Sequence, residues 1–491
     1  MVKHTVVLGA GPAGLSAALG LAREGVEVDV LEMDSQVGGL CKSTKKDGFI
    51  FDLGGHRFIT KDELVLAEIE GLMKDDLLLR PRKSVIRLQG RFFNYPVEIL
   101  DVLLKINPVV SLRCASDFLA TKLGAYSGLN DNSFENWVIK RFGRTLYDIY
   151  FGPYSHKLWG VPPTQISSDW AAQRISLVNI MDVFLRALGR KKDPPKTYAL
   201  NFLYPRCGIG QISERMAEEI KKRQGRIHLK AKVKKIILEN NRIKKVVYEQ
   251  DNAEKDISAD FVVSTIPLPE FILSIEPKVA KECSDVAQDM RFRSIKFIHL
   301  LLNIEHVSDN TWIYSPEEKY FFFRIQDRRN WSPTTVADGK NALTLEISCN
   351  KGDAIWNASD EEIFEKCIKD LEELRLISRK DVTGYFTETA QHSYPIYSLD
   401  YKQRTRMMVD FLSGIKDFIS IGRQGLFRYN NMDHSFKMGF LTARHILDNY
   451  PLKYILSIAT EDTIFDWQDP GYHDGKTKEP QAYLYQKEQI E

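Results

Sequence analysis

The sequence predicts an α/β protein in which one parallel-sheet domain is assembled from separated segments and carries a second, mixed α+β domain as an insertion. Two observations predict this class. Apolar runs followed by glycine-rich turns and helical patterns occur at the start, in the middle and near the end of the 491 residues. The stretches between them are largely helical or strand-like, and no shift in composition separates domains in series.

The first segment has the order strand, turn, helix, strand. An apolar run at 5–8 precedes the loop GAGPAG at 9–14, a helical pattern at 15–23 and a second strand at 26–31 that ends at Glu32. This is the G-x-G-x-x-G turn of a Rossmann-type fold, whose glycines let a pyrophosphate reach the N-terminus of the helix. Glu32 comes 18 residues after the last glycine of the turn, where an acidic side chain suits a ribose hydroxyl. The segment therefore predicts a dinucleotide site.

Two glycine pairs follow this segment. Gly38-Gly39 is succeeded by Leu40, and Gly54-Gly55 is succeeded by His56. Paired glycines let the backbone pass close to the second half of a dinucleotide.

Later segments complete the same domain. Strand patterns at 231–235, which includes Val233, and at 261–267 lie in the middle of the chain, and a last strand at 418–421 precedes Gly422-Arg423 and a helical pattern at 434–449. We therefore predict a discontinuous dinucleotide-binding domain made of residues 1–60, 200–270 and 415–450. Substrate-binding regions, largely helical plus a β-sheet, are predicted at 61–199 and 271–414, and a polar C-terminal tail at 469–491.

Composition excludes several classes of protein. Hydrophobic residues are 43% and charged residues 27% of the chain, which excludes general disorder. The formal net charge of +2 provides no global basic field for nucleic acid. Six widely spaced cysteines predict a reducing, cytoplasmic compartment, and no apolar window is long enough for a transmembrane segment. There is no zinc spacing, P-loop or Ser/His/Asp triad, so we expect no metal, and the sequence is compatible with a homo-oligomer.

The motifs together resemble a known superfamily. Glu32 followed by Gly38-Gly39 matches the E-x-x-x-x-x-G-G signature of the FAD-binding N-terminus of amine oxidases and protoporphyrinogen oxidases, which have a GR2-type fold. Within that superfamily, Gly55-His56 and the stretches 82–96, 137–159 and 423–434 are similar to UDP-galactopyranose mutases, especially the larger eukaryotic form. The resemblance implies that FAD, reduced by NAD(P)H, acts through its N5 atom on the anomeric carbon of a sugar nucleotide.

The resemblance also implies roles for individual residues. His56 and Arg82 match residues beside the flavin and the reacting sugar, so they are the candidate catalytic residues. The candidate substrate-binding residues are Trp137, and Arg324, Tyr394 and Tyr429 at the diphosphate. The candidate FAD-binding residues are Gly9, Gly11, Pro12, Ala13, Gly14, Glu32, Gly38, Gly39, Leu40, Gly55, His56, Val233, Gly422, Arg423, Asn431 and Met432.

Two positions depart from the mutase pattern. Gly152 stands where the mutases have a second diphosphate arginine, and Glu98 stands where they have a glutamine. Both changes are unfavourable to a diphosphate. Cations that could replace the lost one are found nearby in the sequence, at Arg141, Arg144, His156 and Lys157.

Three functions therefore compete. The first is a flavoenzyme that acts on a sugar nucleotide or related glycoconjugate, either as a ring-size mutase or in sugar redox chemistry. The second is a substrate-oxidising flavoprotein of the amine oxidase or protoporphyrinogen oxidase type, for which Gly152 and Glu98 are favourable. The third, a flavin-binding escort protein without activity, leaves the substrate motifs without a purpose.

Overall fold

The computed structural model describes residues 2–95, 105, 107–174 and 201–460. Glu98, residues 175–200 and the predicted tail at 469–491 lie outside the described residues.

A five-stranded, fully parallel sheet forms the centre of the nucleotide-binding part. Its strands, in spatial order, are Phe418–Ser420, Phe261–Ser264, His4–Leu8, Glu27–Leu31 and Arg226–His228. All five come from the three separated segments at 1–60, 200–270 and 415–450. The predicted α/β class, with a Rossmann-type domain interrupted by an insertion, is confirmed.

The two faces of this sheet are covered differently, because successive side chains of a strand point to opposite faces. Val7 belongs to a core shared with the helices Pro12–Arg23, Gly210–Lys222 and Met432–Asp448. Val6 and Leu8 belong to a second core, which a smaller, mostly antiparallel sheet covers. The strands of that sheet are Ala253–Ile257, Arg242–Gln250, Lys232–Glu239 and Ile275–Glu276.

A seven-stranded sheet forms the inserted part. Its order is Val382–Pro395, Phe292–Leu302, Asn341–Cys349, Arg324–Asp327, Trp312–Tyr314, Ser84–Leu88 and Arg91–Asn94. The hairpin from the first predicted substrate region thus joins the strands of the second in one sheet. The helix Asp360–Glu373 begins with a capping box made by Ser359 and Glu362, and it packs on this sheet through a third apolar core.

The remaining elements are short. Two-stranded sheets pair Ser43–Lys46 with Phe49–Asp52 and Leu77–Pro81 with Asn201–Pro205. The other helices are Glu63–Met73, Pro108–Lys122, Phe134–Phe142, Arg144–Leu146, Gly152–Trp159, Ser168–Arg174, Leu268–Ser274, Lys281–Asp289, Ala354–Asn357, Tyr401–Ser413, Gly422–Gly425 and Leu452–Ser457, with a π-helical turn at Tyr147–Phe151. Among the described helices, none has both the length and the apolar character needed to cross a bilayer.

A buried polar network fixes the loop that carries the second glycine pair. Arg328 donates to Asp52 at 3.0 Å and to Tyr204 at 2.6 Å, and the Tyr204 hydroxyl also donates to Asp52. Ser43 donates to the other carboxylate oxygen of Asp52 at 2.6 Å. Because Asp52 lies two residues before Gly54, this network anchors the start of the Gly54-Gly55-His56 loop.

Candidate functional site

A cavity of about 990 Å³ lies between the parallel sheet and the seven-stranded sheet. Its walls include the glycine loop at 9–13, the loop at 53–57, and residues from the strands around 312–324 and 389–394. Ligands bind at this place in α/β folds, outside the carboxyl ends of the parallel strands.

The glycine turn forms one end of the cavity. Gly9 has φ +101°, and a Cβ added there would collide with the Thr265 hydroxyl. A Cβ added at Gly11 would meet no atom within 4 Å, so this residue presents bare backbone to open space at the N-terminus of the helix Pro12–Arg23. Gly14 does not line the cavity. Its hydrogen lies against the Gly9 carbonyl oxygen and closes the turn.

Glu32 holds this turn in place from the adjacent strand. Its carboxylate accepts the N–H of Ala10 at 2.7 Å and the N–H of Asp34 at 2.9 Å. Burial raises the pKa of Glu32, and these two hydrogen bonds oppose the rise. Each carboxylate oxygen can accept a second hydrogen bond. Because Glu32 also lines the cavity, a ribose hydroxyl bound there can donate it.

The first glycine pair packs against the turn. Gly38 does not line the cavity; its N–H donates to the Ala10 carbonyl oxygen at 2.8 Å. A Cβ added at Gly39 would lie 3.3 Å from the Gly11 Cα, so the two loops pack backbone to backbone. The other predicted cofactor residues that line the cavity are Leu40, Gly55, Val233, Gly422, Arg423, Asn431 and Met432. This bare backbone, the carboxylate of Glu32 and a helix N-terminus together fit a dinucleotide.

His56 lies in the middle of the cavity wall. Its Nδ1 is buried and has no hydrogen-bond partner among the described residues. Burial, together with the positive charges of Arg423 and Arg324, lowers the pKa of His56 to about 4 against the opposing effects of Asp52 and of a hydrogen bond with the Gly54 backbone. The imidazole is therefore neutral at pH 7, with a nitrogen available to a ligand.

Arg57, which the sequence analysis did not single out, lines the cavity directly beside His56. Its Nη2 donates to the hydroxyls of Ser84 at 2.9 Å and Thr311 at 2.7 Å, and its guanidinium carbon lies 3.8 Å from the centre of the Trp312 ring. Its Nε and Nη1 are buried without a partner among the described residues. Burial and the charge of Arg82 lower the pKa of Arg57 to about 9. Such a cation is stabilised when an anion binds.

Arg324 is placed in the cavity as predicted, but its guanidinium is already engaged. Its Nε donates to Glu346 at 2.7 Å and its Nη2 at 2.5 Å, across a pair of neighbouring strands. Gln326 donates to the same carboxylate at 2.8 Å. Burial lowers the pKa of Arg324, whereas Glu346 raises it well above the ordinary value of arginine. The fork of Arg324 is therefore occupied by Glu346, and Nη1 is the nitrogen left to meet a ligand.

Tyr394 and Tyr429 are brought together as predicted. Their rings stack with centres 5.3 Å apart, and Arg423 lies over both, 4.2 Å from the Tyr429 centre. Arg423 donates to the carbonyl oxygens of Asn430 at 2.7 Å and Ser393 at 2.9 Å, so its side chain braces the loop. Burial raises the pKa of Tyr394, whose hydroxyl therefore remains protonated and can donate.

Arg82 also lines the cavity, with its guanidinium carbon 5.8 Å from the Tyr95 ring centre. Trp137 does not line it. This residue is buried in the second core and covered by Arg141, although Phe134 and Phe142 of the same helix reach the cavity.

The position that lacks the mutase arginine is crowded. A Cβ added at Gly152 would lie 3.0 Å from the Tyr147 ring, and Gly152 does not line the cavity. The nearby cations suggested as replacements do not line it either, and they have other partners. These pairs are Arg141 with Asp131, Arg144 with Glu135, His156 with Glu318, and Lys157 with the carbonyl oxygens of Ser315 and Glu317. The structure therefore places none of these four cations at the cavity, whereas Arg57 lines it.

The sequence analysis did not single out Arg57 and Glu346, although the sequence indicates both weakly. Arg57 directly follows Gly54-Gly55-His56, so the motif that identified His56 also pointed to its neighbour. Glu346 is a single charge in the apolar strand Asn341–Cys349, which indicates a buried carboxylate with a cationic partner. Its pairing with Arg324 depends on strand register, which one sequence does not display.

Comparisons with known proteins agree with this fold. A probable UDP-galactopyranose mutase from Klebsiella pneumoniae is 25% identical over 173 residues, which are 34% of this chain and 44% of the mutase. A coproporphyrinogen III oxidase from Bacillus subtilis (strain 168) is 22% identical over 445 residues, 84% of this chain and 91% of the oxidase. A crystal structure of reduced UDP-galactopyranose mutase has the same fold, with a TM-score of 0.81 at 22% identity, over 94% of this chain and 99% of that one.

A family model covers most of the chain. It describes flavin containing amine oxidoreductases and matches residues 12–427, which include the last three residues of the glycine turn, the Gly54-Gly55 loop, Arg324 and the segment around Arg423. The chain therefore belongs to the flavin-containing amine oxidoreductase family.

Proposed function

We propose that this protein is an FAD-dependent enzyme that acts on a phosphorylated sugar, a sugar nucleotide or a related glycoconjugate. The observation that carries the proposal is the charge of the cavity at its substrate end. Arg57, Arg82 and Arg324 line it together, and Glu346 binds Arg324. Arg324 is bound to Glu346, whereas the Nε and Nη1 of the buried Arg57 have no hydrogen-bond partner among the described residues, so this end of the cavity suits an anion such as a diphosphate.

The cofactor end supports FAD as the flavin. Gly9, Gly11 and Ala13 would hold its pyrophosphate and Glu32 its ribose, while Gly55 and His56 would lie along its flavin half. When bound, FAD supplies the flavin N5, which serves as a nucleophile towards a sugar carbon or as a hydride acceptor. Reduction by NAD(P)H is part of the mutase-like form of this proposal.

The residues at the substrate end would stabilise the charge that develops on a departing phosphate. Arg57 offers Nε and Nη1, and Arg324 offers Nη1, in a buried setting where such interactions are strong. The hydroxyls of Tyr394 and Tyr429 would add neutral hydrogen bonds. The neutral His56 can accept a proton or a hydrogen bond at Nδ1, or donate from it in the other tautomer.

The alternative is oxidation of a substrate by hydride transfer to the flavin. The long alignment with a coproporphyrinogen oxidase favours this alternative, and a polycarboxylated substrate would also suit a cationic cavity. A cationic amine would not, because it would have to enter beside the uncompensated charge of Arg57. Glu346 does not offset this, since its carboxylate is already bound to Arg324 and Gln326.

A titration of the FAD-loaded protein separates these substrates. UDP, UDP-sugars, dTDP-sugars, coproporphyrinogen III and putrescine are added in turn, and binding is followed by calorimetry and by the flavin absorbance spectrum. We expect the nucleotide diphosphates to bind and putrescine to have no effect. Binding of coproporphyrinogen III with none of the nucleotides would favour the oxidase. Binding of putrescine alone would refute the proposal.

A further inference from the structure

The helix Pro108–Lys122 and the tip of the hairpin Ser84–Leu88/Arg91–Asn94 form a surface that the site does not use. Five large apolar side chains are exposed there: Phe92 by 43%, Val109 by 60%, Leu112 by 72%, Leu119 by 62% and Leu123 by 88%. These are more than half of the strongly exposed large apolar side chains in the part of the chain that the structure describes. An apolar surface of this kind indicates an interaction site.

The apolar residues of the helix form one stripe. Val109, Leu112, Ser116, Leu119 and Leu123 follow each other at spacings of three and four residues, which places them on one face. The opposite face is fixed to the protein through Cys114, which is buried. The stripe therefore points away from the core.

The hairpin tip belongs to the same surface. Lys105, which lies three residues before the helix, donates from its Nζ to the Phe92 carbonyl oxygen at 3.1 Å. Arg91 donates to the Lys105 carbonyl oxygen. The start of the helix is thus bound to the strand that carries the exposed Phe92.

Among the described residues of the hairpin and the helix, the charged side chains are mostly positive. Glu317 lies beside the hairpin tip and accepts the Gln89 N–H at 3.2 Å. Described residues between 87 and 123 include Arg87, Arg91, Lys105, Arg113 and Lys122. The acidic residue among them, Asp117, is half-buried and accepts hydrogen bonds from the Tyr126 hydroxyl and the Thr145 N–H. On the helix, Arg113 and Lys122 lie on opposite sides of the stripe.

We infer that this surface docks on an anionic lipid bilayer. Leucine side chains that enter the headgroup region, flanked by lysine and arginine, are the pattern of helices that lie in a membrane interface. A second copy of the chain suits the surface less well. Stripe-to-stripe pairing would bring the Arg113 and Lys122 of both copies together, and like charges at an interface repel each other.

Docking would bring the candidate site close to the bilayer. Arg82 and Tyr95, which line the cavity, lie at the base of the same hairpin whose tip carries Arg91 and Phe92. A hairpin strand of four or five residues is roughly 15 Å long. The inference does not depend on the identity of the substrate.

Flotation of the full-length protein with lipid vesicles tests the inference. The vesicles are phosphatidylcholine with or without phosphatidylglycerol, at low and at high salt. We expect the protein to float with the anionic vesicles at low salt, to be released at high salt, and to stay in solution with neutral vesicles.

Two pairs of substitutions address the two parts of the surface. Leu112→Ser with Leu119→Ser, and Arg113→Gln with Lys122→Gln, should each lower partitioning to anionic vesicles by about tenfold or more. Matched controls change residues of the same kind elsewhere: Leu399→Ser with Met407→Ser for the apolar pair, and Lys221→Gln with Lys380→Gln for the charges. The controls should bind as the wild type does.

Several outcomes would overturn the inference. The inference fails if the wild-type protein does not float with anionic vesicles. It also fails if the surface variants float as well as the controls. A wild-type dimer that Leu112→Ser with Leu119→Ser converts to monomers would identify a second copy as the partner. A loss of thermal stability in that variant would show that another part of the chain covers the stripe.

Discussion

Replacing Arg57 should weaken the binding of anions and stabilise the ligand-free protein at the same time. Arg57→Met keeps an unbranched side chain against Trp312 but removes the charge. A charge-assisted hydrogen bond contributes about 1.5–3 kcal/mol, so the affinity for UDP or pyrophosphate should fall roughly 10- to 150-fold. Removing a buried charge that has no carboxylate partner among the described residues should raise the free energy of unfolding by about 1–4 kcal/mol.

Calorimetry on the FAD-loaded protein and thermal unfolding measure the two effects. Arg57→Lys should recover only part of the affinity, because an ammonium group does not reproduce the planar fork. Arg80→Met is the matched control, since Arg80 donates to the Asn330 carbonyl oxygen and does not line the cavity. If Arg57→Met binds UDP like the control and is less stable than the wild type, then Arg57 has a structural role and the reasoning is refuted.

Three further predictions concern residues around the site. Glu346→Gln leaves Arg324 without this counter-charge, so it should lower the free energy of unfolding by about 3–5 kcal/mol and tighten UDP binding about tenfold. Urea unfolding measures the first effect and calorimetry the second, and weaker UDP binding would contradict the prediction. Asp52→Asn should also lower the free energy of unfolding by about 3–5 kcal/mol, because the buried Arg328 loses the carboxylate that it binds. An unchanged Tm would show that the network adds no stability. Because the pKa of His56 is about 4 in the native state and 6.5 without burial, the unfolded chain binds a proton between these values that the native protein does not. Stability should therefore decrease as the pH falls from 6.5 to 4, by about 3 kcal/mol at most, and His56→Gln should lose this dependence in urea titrations across that range.

The fold could be predicted from the sequence because its signals are local. The turn at 9–14 and the strand that ends at Glu32 are adjacent in the chain, and the spacing alone implies that Glu32 reaches the turn. In the structure Glu32 accepts the Ala10 N–H. The segment after Phe418–Ser420 was found for the same reason, since a strand, a glycine and a helix follow one another directly.

The substrate end could be predicted only in part because it depends on pairing between distant strands. Arg324 faces Glu346 through the register of two antiparallel strands, and no pattern within either strand displays that contact. The helical pattern around Trp137 is compatible with a side chain in the core or in the cavity. In the structure this side chain packs in the core. Arg57 adjoins a recognised motif, but its lack of a carboxylate partner becomes visible only when its neighbours are placed.

The most direct test of the proposed function is an anaerobic reaction of the FAD-loaded protein, in its oxidised and its reduced form, with UDP- and dTDP-sugars. The account predicts that the reduced form converts a sugar nucleotide and remains reduced after many turnovers. It also predicts that, if the chemistry is sugar oxidation instead, the oxidised form loses its absorbance in proportion to the sugar consumed. The central claim is contradicted if neither form reacts with any phosphorylated sugar while an amine bleaches the oxidised flavin.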